Sequence, residues 1–250
     1  AVSMGEKAYV DMEYMCQLSG KTEEEIYSDL KGVIFLNPMH GYGNSTEAKY
    51  LMADEYLSGN VREKLAWAKR SAELSPDDYK IHVEALEKVQ PKDLTASEIS
   101  VRLGATWLPP EIVEQFIFEF LGTPRYAQWN IKLHFSQYTG EWNLEGKSYD
   151  RGNVKAYNTY GTSRINAYKI IEETLNLKDV RIFDYIEEPD GKKKAVLNKK
   201  ETAIAQSKQE LIKQGFQDWI WADPERRERL CKLYNEKFNS IRPREYDGSH

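Results

Sequence analysis

The sequence predicts an α+β fold: a helical N-terminal part, then antiparallel strands and hairpins with packed helices, and a helical C-terminus. Three observations carry this reading. Helix start signals with helical apolar spacing fill much of residues 11–90 and 199–240. Two-residue alternation bounded by turn residues recurs between them. The second half reads strand, helix, hairpin, helix, hairpin, helix, helix, which suits an antiparallel sheet with helices packed on it and not a doubly wound nucleotide fold.

The elements follow in order. Residues 11–18 read as a short helix with Met12, Met15 and Cys16 on one face, broken by Ser19-Gly20-Lys21. Thr22 opens a capping box with Glu25, and Ile26 and Leu30 supply the buried stripe of the next helix. Val33-Ile34-Phe35-Leu36 is an apolar run stopped by Asn37-Pro38, hence a strand. The loop 39–46, with Gly41, Gly43 and Asn44, is expected to be mobile. Helical signals resume at residue 50. Asn60 with Glu63, and Ser75-Pro76-Asp77-Asp78, mark two helix starts, so 50–90 reads as a helical hairpin ending before Pro91.

Ile99, Val101 and Leu103 alternate with Ser100 and Arg102 as a strand does. Pro109-Pro110 opens a helix that buries Ile112, Val113, Phe116, Ile117 and Phe120. Ile131, Leu133 and Phe135 form one strand, Tyr138-Thr139-Gly140-Glu141 a turn, and Trp142 and Leu144 the return. Residues 146–160 are polar and read as a loop, after which Thr162 caps a helix to about Leu175. Residues 180–185 form a strand, Glu188-Pro189-Asp190-Gly191 turns it, and Ala195-Val196-Leu197 returns. Helices over 200–221 and from Asp223-Pro224-Glu225 to about 240 precede an open polar tail, 242–250. The domain reading is a mainly helical acidic region, 1–92, an α+β region, 93–241, and the tail.

Composition sets bounds on function. The 250 residues are 40% apolar and 30% charged, enough for a real core. No run reaches the length of a membrane span, and no signal peptide opens the chain. The chain starts on Ala1, which predicts a piece of something longer. Two distant cysteines, Cys16 and Cys231, fit a reducing, cytoplasmic setting and no disulfide framework. Residues 1–125 carry a net charge of -8 and residues 126–250 one of +3, so a polyanion meets the back half first.

Chemistry-bearing motifs are weak. Gly140 to Gly146, followed by Lys147-Ser148, has one residue too many for a phosphate loop and lies in an expected hairpin. Pro109-Pro110 lacks the flanking residues of an adenine-methylation loop. Asp54-Glu55 reads as a helix surface, and Pro76-Asp77 as a helix start. The four histidines show no ligand spacing, and His134 sits on the polar face of its strand. No catalytic residue, metal site or cofactor is expected.

Binding features are better. Lys192, Lys193 and Lys194 follow a tight turn, and Lys199 and Lys200 open the next helix, five cations placed for phosphates. Tyr149, Tyr157, Tyr160, Arg151 and Arg164 cluster in and after the polar loop, where rings stack bases and guanidinium groups pair phosphates. Of these, Arg151, Arg164 and Tyr160 join the lysines as nucleic-acid candidates. Residues 11–36 have the order of a helix-turn-helix with a wing. The second helix carries Glu23, Glu24, Glu25 and Asp29, which repel DNA, so a packing unit is the favoured reading.

Five stretches carry a resemblance: Asp54-Glu-Tyr-Leu-Ser-Gly-Asn-Val-Arg-Glu-Lys-Leu65, Val101-Arg-Leu-Gly-Ala-Thr-Trp107, Tyr160-Gly-Thr-Ser-Arg-Ile-Asn-Ala-Tyr-Lys169, Leu197-Asn-Lys-Lys-Glu-Thr202 and Arg242-Pro-Arg-Glu-Tyr-Asp-Gly-Ser-His250. Together they resemble the segment before the motor in very large helicase–adenine methyltransferase proteins of bacterial conjugative elements and some phages. The resemblance implies a connecting segment that stops short of the first helicase motif. Its implied role is a non-catalytic accessory module that positions DNA or couples the flanking enzymes. Its implied partners are DNA and the adjoining helicase and methyltransferase regions, with no membrane. The alternative is a docking domain that never touches DNA and uses apolar surface around Trp219 and Trp221. A hydrolase would need a carboxylate cluster around a divalent metal.

Overall fold

The computed structural model describes residues 2–37, 40, 48–188 and 192–245. The chain divides into two compact units. One comprises Ala1–Leu94 and Leu233–His250, the other Thr95–Lys232.

The first unit opens with α1 (Val2–Lys7), α2 (Met12–Ser19) and α3 (Glu23–Asp29), followed by β1 (Ile34–Leu36) and β2 (Tyr50–Met52). Each boundary has a local cause. The Asp11 carboxylate accepts the Tyr14 N–H at 3.0 Å, and Gly20 ends α2 at φ 69°. The expected capping box is present: the Glu25 N–H donates to Thr22 Oγ1 at 3.3 Å, and the Thr22 N–H to Glu25 Oε2 at 2.9 Å. Val10, Met12, Ile26, Ile34 and Tyr50 form the core between these elements. The loop expected to be mobile lies outside the described residues apart from His40. One correction falls beside it. Residues 50–52 are not helical, because they pair antiparallel with β1, Phe35 opposite Leu51. Tyr50 buries its ring there and donates its hydroxyl to Glu23 at 2.7 Å.

Next come α4 (Ala53–Tyr56), β3 (Gly59–Asn60), α5 (Val61–Leu74) and α6 (Pro76–Lys88). Asn60 caps α5, accepting the Glu63 N–H at 3.1 Å. Ser75 precedes Pro76 as expected, but its side chain makes no capping bond. Phe35, Tyr56, Val61, Ala68 and Leu86 build a second core cluster. His82 is fully buried against it, its Nδ1 2.9 Å from the Tyr56 hydroxyl and its Nε2 3.3 Å from that of Tyr27. Phe35 and Tyr56 meet its ring edge to face.

Burial lowers the His82 pKa to about 4. The unfolded chain therefore binds a proton that the folded one refuses between pH 6.5 and 4. Stability from this group is whole above pH 6.5 and declines as pH falls through that window, by about 2 kcal/mol at pH 5. Urea titrations at pH 7.5 and 5 should show this loss, and a His82→Gln variant should show a smaller one. An equal loss in both proteins would remove His82 as its cause.

The second unit holds α7 (Pro110–Leu121), α8 (Arg125–Gln128), β4 (Lys132–Phe135), β5 (Trp142–Glu145), a π-helical turn at Lys155–Thr159, α9 (Ala167–Leu175), β6 (Phe183–Glu187), β7 (Lys193–Leu197) and α10 (Lys199–Ile220). Its α11 (Pro224–Phe238) leads the chain back to the first unit, where β8 (Ile241–Arg242) pairs with β3. The start of the expected open tail is thus tied down, and Arg244 donates to Asp54 at 2.7 Å. Within the second unit Phe116, Ile117, Leu144, Ile170 and Phe216 are among the fully buried side chains.

The fold class is α+β, but its strands form separate two-stranded ribbons, not one sheet. Helix side chains take the place of missing strands. On the edge of β5, the Trp142 N–H donates to Asn176 Oδ1 at 2.9 Å, and Asn176 Nδ2 donates back to the Trp142 carbonyl at 2.8 Å. Two residues on, the Leu144 N–H donates to Glu172 Oε1 at 2.9 Å. The same substitution explains why β6 starts at Phe183 and not at Val180. The Val180 N–H donates to Gln209 and the Ile182 N–H to Thr202, both on α10. Ile99, Val101 and Leu103 are buried as alternation predicts yet form no ladder, and the Val101 carbonyl accepts from Gln217 at 2.6 Å. The cap of α9 is Asn166, which accepts the Lys169 N–H at 2.9 Å. Thr162 instead closes a turn by accepting the Arg164 and Ile165 N–H groups.

Candidate nucleic-acid interface

The β6–β7 ribbon pairs Phe183 with Leu197, Tyr185 with Ala195 and Glu187 with Lys193. Strand alternation puts Phe183, Tyr185, Ala195 and Leu197 on one face, and Ile186, Val196 and Lys194 on the other. Neither face is covered: Tyr185 is 72% exposed and Ile186 55%. The base is fixed. The Asn198 N–H donates to the Ile182 carbonyl at 2.8 Å, and Arg164 donates to Asp184 at 2.8 Å and to the Phe183 carbonyl at 2.9 Å. Hydrogen bonds from Arg164 and Asn198 hold the Asp184 carboxyl below its ordinary pKa.

The structure sorts the expected contact residues. Lys192, Lys193 and Lys194 stand at the far end of the ribbon, all exposed. Their charge is partly matched, since Lys193 lies opposite Glu187 and Lys194 is 3.3 Å from Glu188. The expected turn between the strands falls on residues 189–191, outside the described residues. Lys199 and Lys200 open α10 at the other end of β7, about 16 Å away at ~3.3 Å per strand residue. Arg164 sits at the base and positions the ribbon. Arg151 is exposed, and Tyr160 packs against Phe120 with ring centroids 4.3 Å apart. Among the described residues no hydrogen bond or ion pair joins Arg151 or Tyr160 to the ribbon.

In the first unit, α2, the Gly20 turn, α3 and the β1–β2 pair make a compact set. The first turn of α3 carries Glu23, Glu24 and Glu25. Glu23 accepts from Lys49 at 2.6 Å, and this bond with that from Tyr50 lowers its pKa. An apolar cavity of about 380 Å³ lies beside these helices, lined by Met4, Met15, Leu18, Ile26, Leu30 and Val33 among others.

The weaker motifs fall into place. Gly140 and Gly146 both sit at positive φ at the ends of β5, as turn residues. Asp54 lies in α4, Asp77 in the first turn of α6, and His134 is an exposed strand residue 3.8 Å from Glu145. Trp219 and Trp221 are both half-buried. Among the described residues no cluster of three or more His, Cys, Asp or Glu is arranged to hold a metal, and no helix is long and apolar enough to cross a membrane.

Sequence reading missed one feature. A cleft of about 470 Å³ gathers Phe120 of α7, Tyr160, and Gln214, Gly215, Asp218 and Trp219 of α10. Tyr160 was the one legible signal; the rest meet only through the packing of α7 on α10.

Residues 1–47 match the family model described as "Probable helicase, winged helix domain". Residues 102–240 match the model described as "Domain of unknown function (DUF8437)". No match was found among curated proteins or solved structures. The first match supports the other reading of residues 11–36, a helix-turn-helix with a wing. Helix, glycine turn, helix and strand there follow the element order of a winged helix, with an acidic second helix.

Proposed function

Given that the chain belongs to the DUF8437 family, whose description assigns no activity, we propose that it is a non-catalytic accessory module of a large DNA helicase/adenine methyltransferase. It positions DNA for the flanking enzymes, or couples them, in the cytoplasm. The observation that carries this reading is the helicase-type winged helix at residues 1–47. The second unit adds an exposed β-ribbon with Lys192, Lys193 and Lys194 at its far end and Lys199 and Lys200 at its base. Such cations recognise phosphates without reading sequence.

Fluorescence anisotropy with single-stranded, duplex and forked DNA, titrated in salt, tests it. Replacing Lys192, Lys193 and Lys194 together by alanine should weaken binding to every sequence. The log–log salt slope should become shallower, by at most about 3 for three lost phosphate contacts. A variant that binds as tightly as the parent protein at every salt concentration would show the ribbon is not the contact.

The docking alternative has one observation in its favour: the winged helix pairs an acidic α3 with an apolar cavity of about 380 Å³. Acids there disfavour the DNA contact a winged helix usually makes. Absence of DNA binding at low salt, with binding to the adjoining helicase, would select it.

A further inference from the structure

We propose that the cleft on α10 binds one unpaired guanine base. The walls are aromatic and held in place. Phe120 and Tyr160 lie 4.3 Å apart, and the Trp219 indole N–H donates to Glu119 at 2.6 Å. The Arg226 guanidinium stacks 3.5 Å from the Trp219 ring centre and donates to the Trp219 carbonyl at 2.7 Å. A wall fixed from behind in this way loses little freedom when a base stacks on it. The floor requires glycine: a Cβ on Gly215 would stand 2.2 Å from Phe120 Cε2. A helix-interior glycine sacrifices propensity, and here it lets the Phe120 ring lie against α10.

The polar rim gives the specificity. Gln214 Nε2 donates to Asp218 Oδ1 at 2.9 Å, one helical turn away. One of the two Gln214 amide N–H groups is used in this bond, and the Asp218 carboxylate still offers the ligand adjacent acceptors, its second oxygen and a remaining lone pair on the first. The matching base must present adjacent donors. Guanine does so with N1–H and its 2-amino group, whereas thymine has a single N–H on that edge. Lys208, which donates to the Thr159 carbonyl at 2.8 Å beside Tyr160, places a cation nearby for the backbone.

A strand of nucleic acid as the source of the base rests on the proposed function; a free guanine nucleotide is the other source. The test uses the full chain with labelled twelve-residue thymidine oligonucleotides bearing one central guanine, adenine or none, and dGMP alone. The guanine oligonucleotide should bind about tenfold more tightly than all-thymidine. Asp218→Asn should abolish that ratio, and Tyr160→Ala should weaken guanine binding at least fivefold. The alanine variant of Lys192, Lys193 and Lys194 should lower all affinities and leave the ratio intact. Equal binding of guanine and thymidine oligonucleotides overturns the cleft assignment while leaving DNA binding standing. Binding of dGMP without any oligonucleotide binding keeps the cleft and overturns the DNA reading, and binding of neither overturns both.

Discussion

Gly146→Ala is expected to destabilise the second unit by about 3 kcal/mol or more. Gly146 sits at φ +71°, and a Cβ there would stand 2.1 Å from the Asn130 carbonyl oxygen and 2.8 Å from its carbon. The left-handed conformation alone costs a non-glycine residue roughly 1–2 kcal/mol. The overlap adds more, because both atoms belong to backbone and cannot rotate aside. Relief requires moving the chain next to Ile131 and Leu144, both fully buried. Gly140→Ala is the control. It has nearly the same φ, +70°, with nothing within 4 Å of its Cβ. Thermal unfolding should show a loss near 1 kcal/mol for Gly140→Ala and a much larger one for Gly146→Ala; equal losses would discard the steric argument.

Glu172→Ala should cost about 3 kcal/mol, by breaking a buried charge cluster. Glu172 is 6% exposed, and its carboxylate accepts from Lys147 at 2.7 Å, Lys169 at 2.6 Å and the Leu144 N–H at 2.9 Å. Burial raises its pKa, but the hydrogen bonds from Lys147, Lys169 and Leu144 outweigh it and the net shift is downward. Alanine leaves the Leu144 N–H without its acceptor on the edge of β5. Glu172→Gln keeps that acceptor and should lose less. Since the folded pKa lies below that of a free glutamate, its stabilisation is complete above about pH 4.5 and is lost as pH falls through the folded value. Urea unfolding of the three proteins at pH 7 and pH 3.5 should show the gap between wild type and Glu172→Ala narrowing in acid. A constant gap would mean the lost stability is packing, not charge.

What was legible in the sequence was local. The Thr22–Glu25 box, the Asn60 cap and Pro110 at the start of α7 depend on neighbours within a turn, and each marks a helix start in the structure. Non-local pairing was not legible. Residues 50–52 look helical until β1 supplies a partner some fifteen residues earlier in the chain. Residues 180–182 and 99–103 alternate correctly and bury the expected side chains, yet Gln209, Thr202 and Gln217 satisfy their backbone from a helix. Alternation reports which side is buried, not what accepts the hydrogen bond. The helix-turn-helix order with a wing was visible as an order of elements, while the charge on α3 pointed to a packing unit. The lysine ribbon was legible because its residues are contiguous. The cleft was not, because Phe120, Tyr160 and Asp218 have no sequence relation.

The first unit is split in sequence around the second, and this orders events in time. Asn235 brackets the Leu94 backbone, accepting its N–H at 2.9 Å and donating to its carbonyl at 2.9 Å, and β8 closes on β3. Both closures wait for residues made after Lys232. At a synthesis rate of roughly 5–20 residues per second, the intervening segment of roughly 140 residues delays them by about seven to thirty seconds. When Lys232 has been made the second unit has all of its own chain, and the first still lacks its segment Leu233–His250. Translation therefore completes the inserted unit before the one that encloses it, and the N-terminal segment waits for its last partners until the end of that sequence.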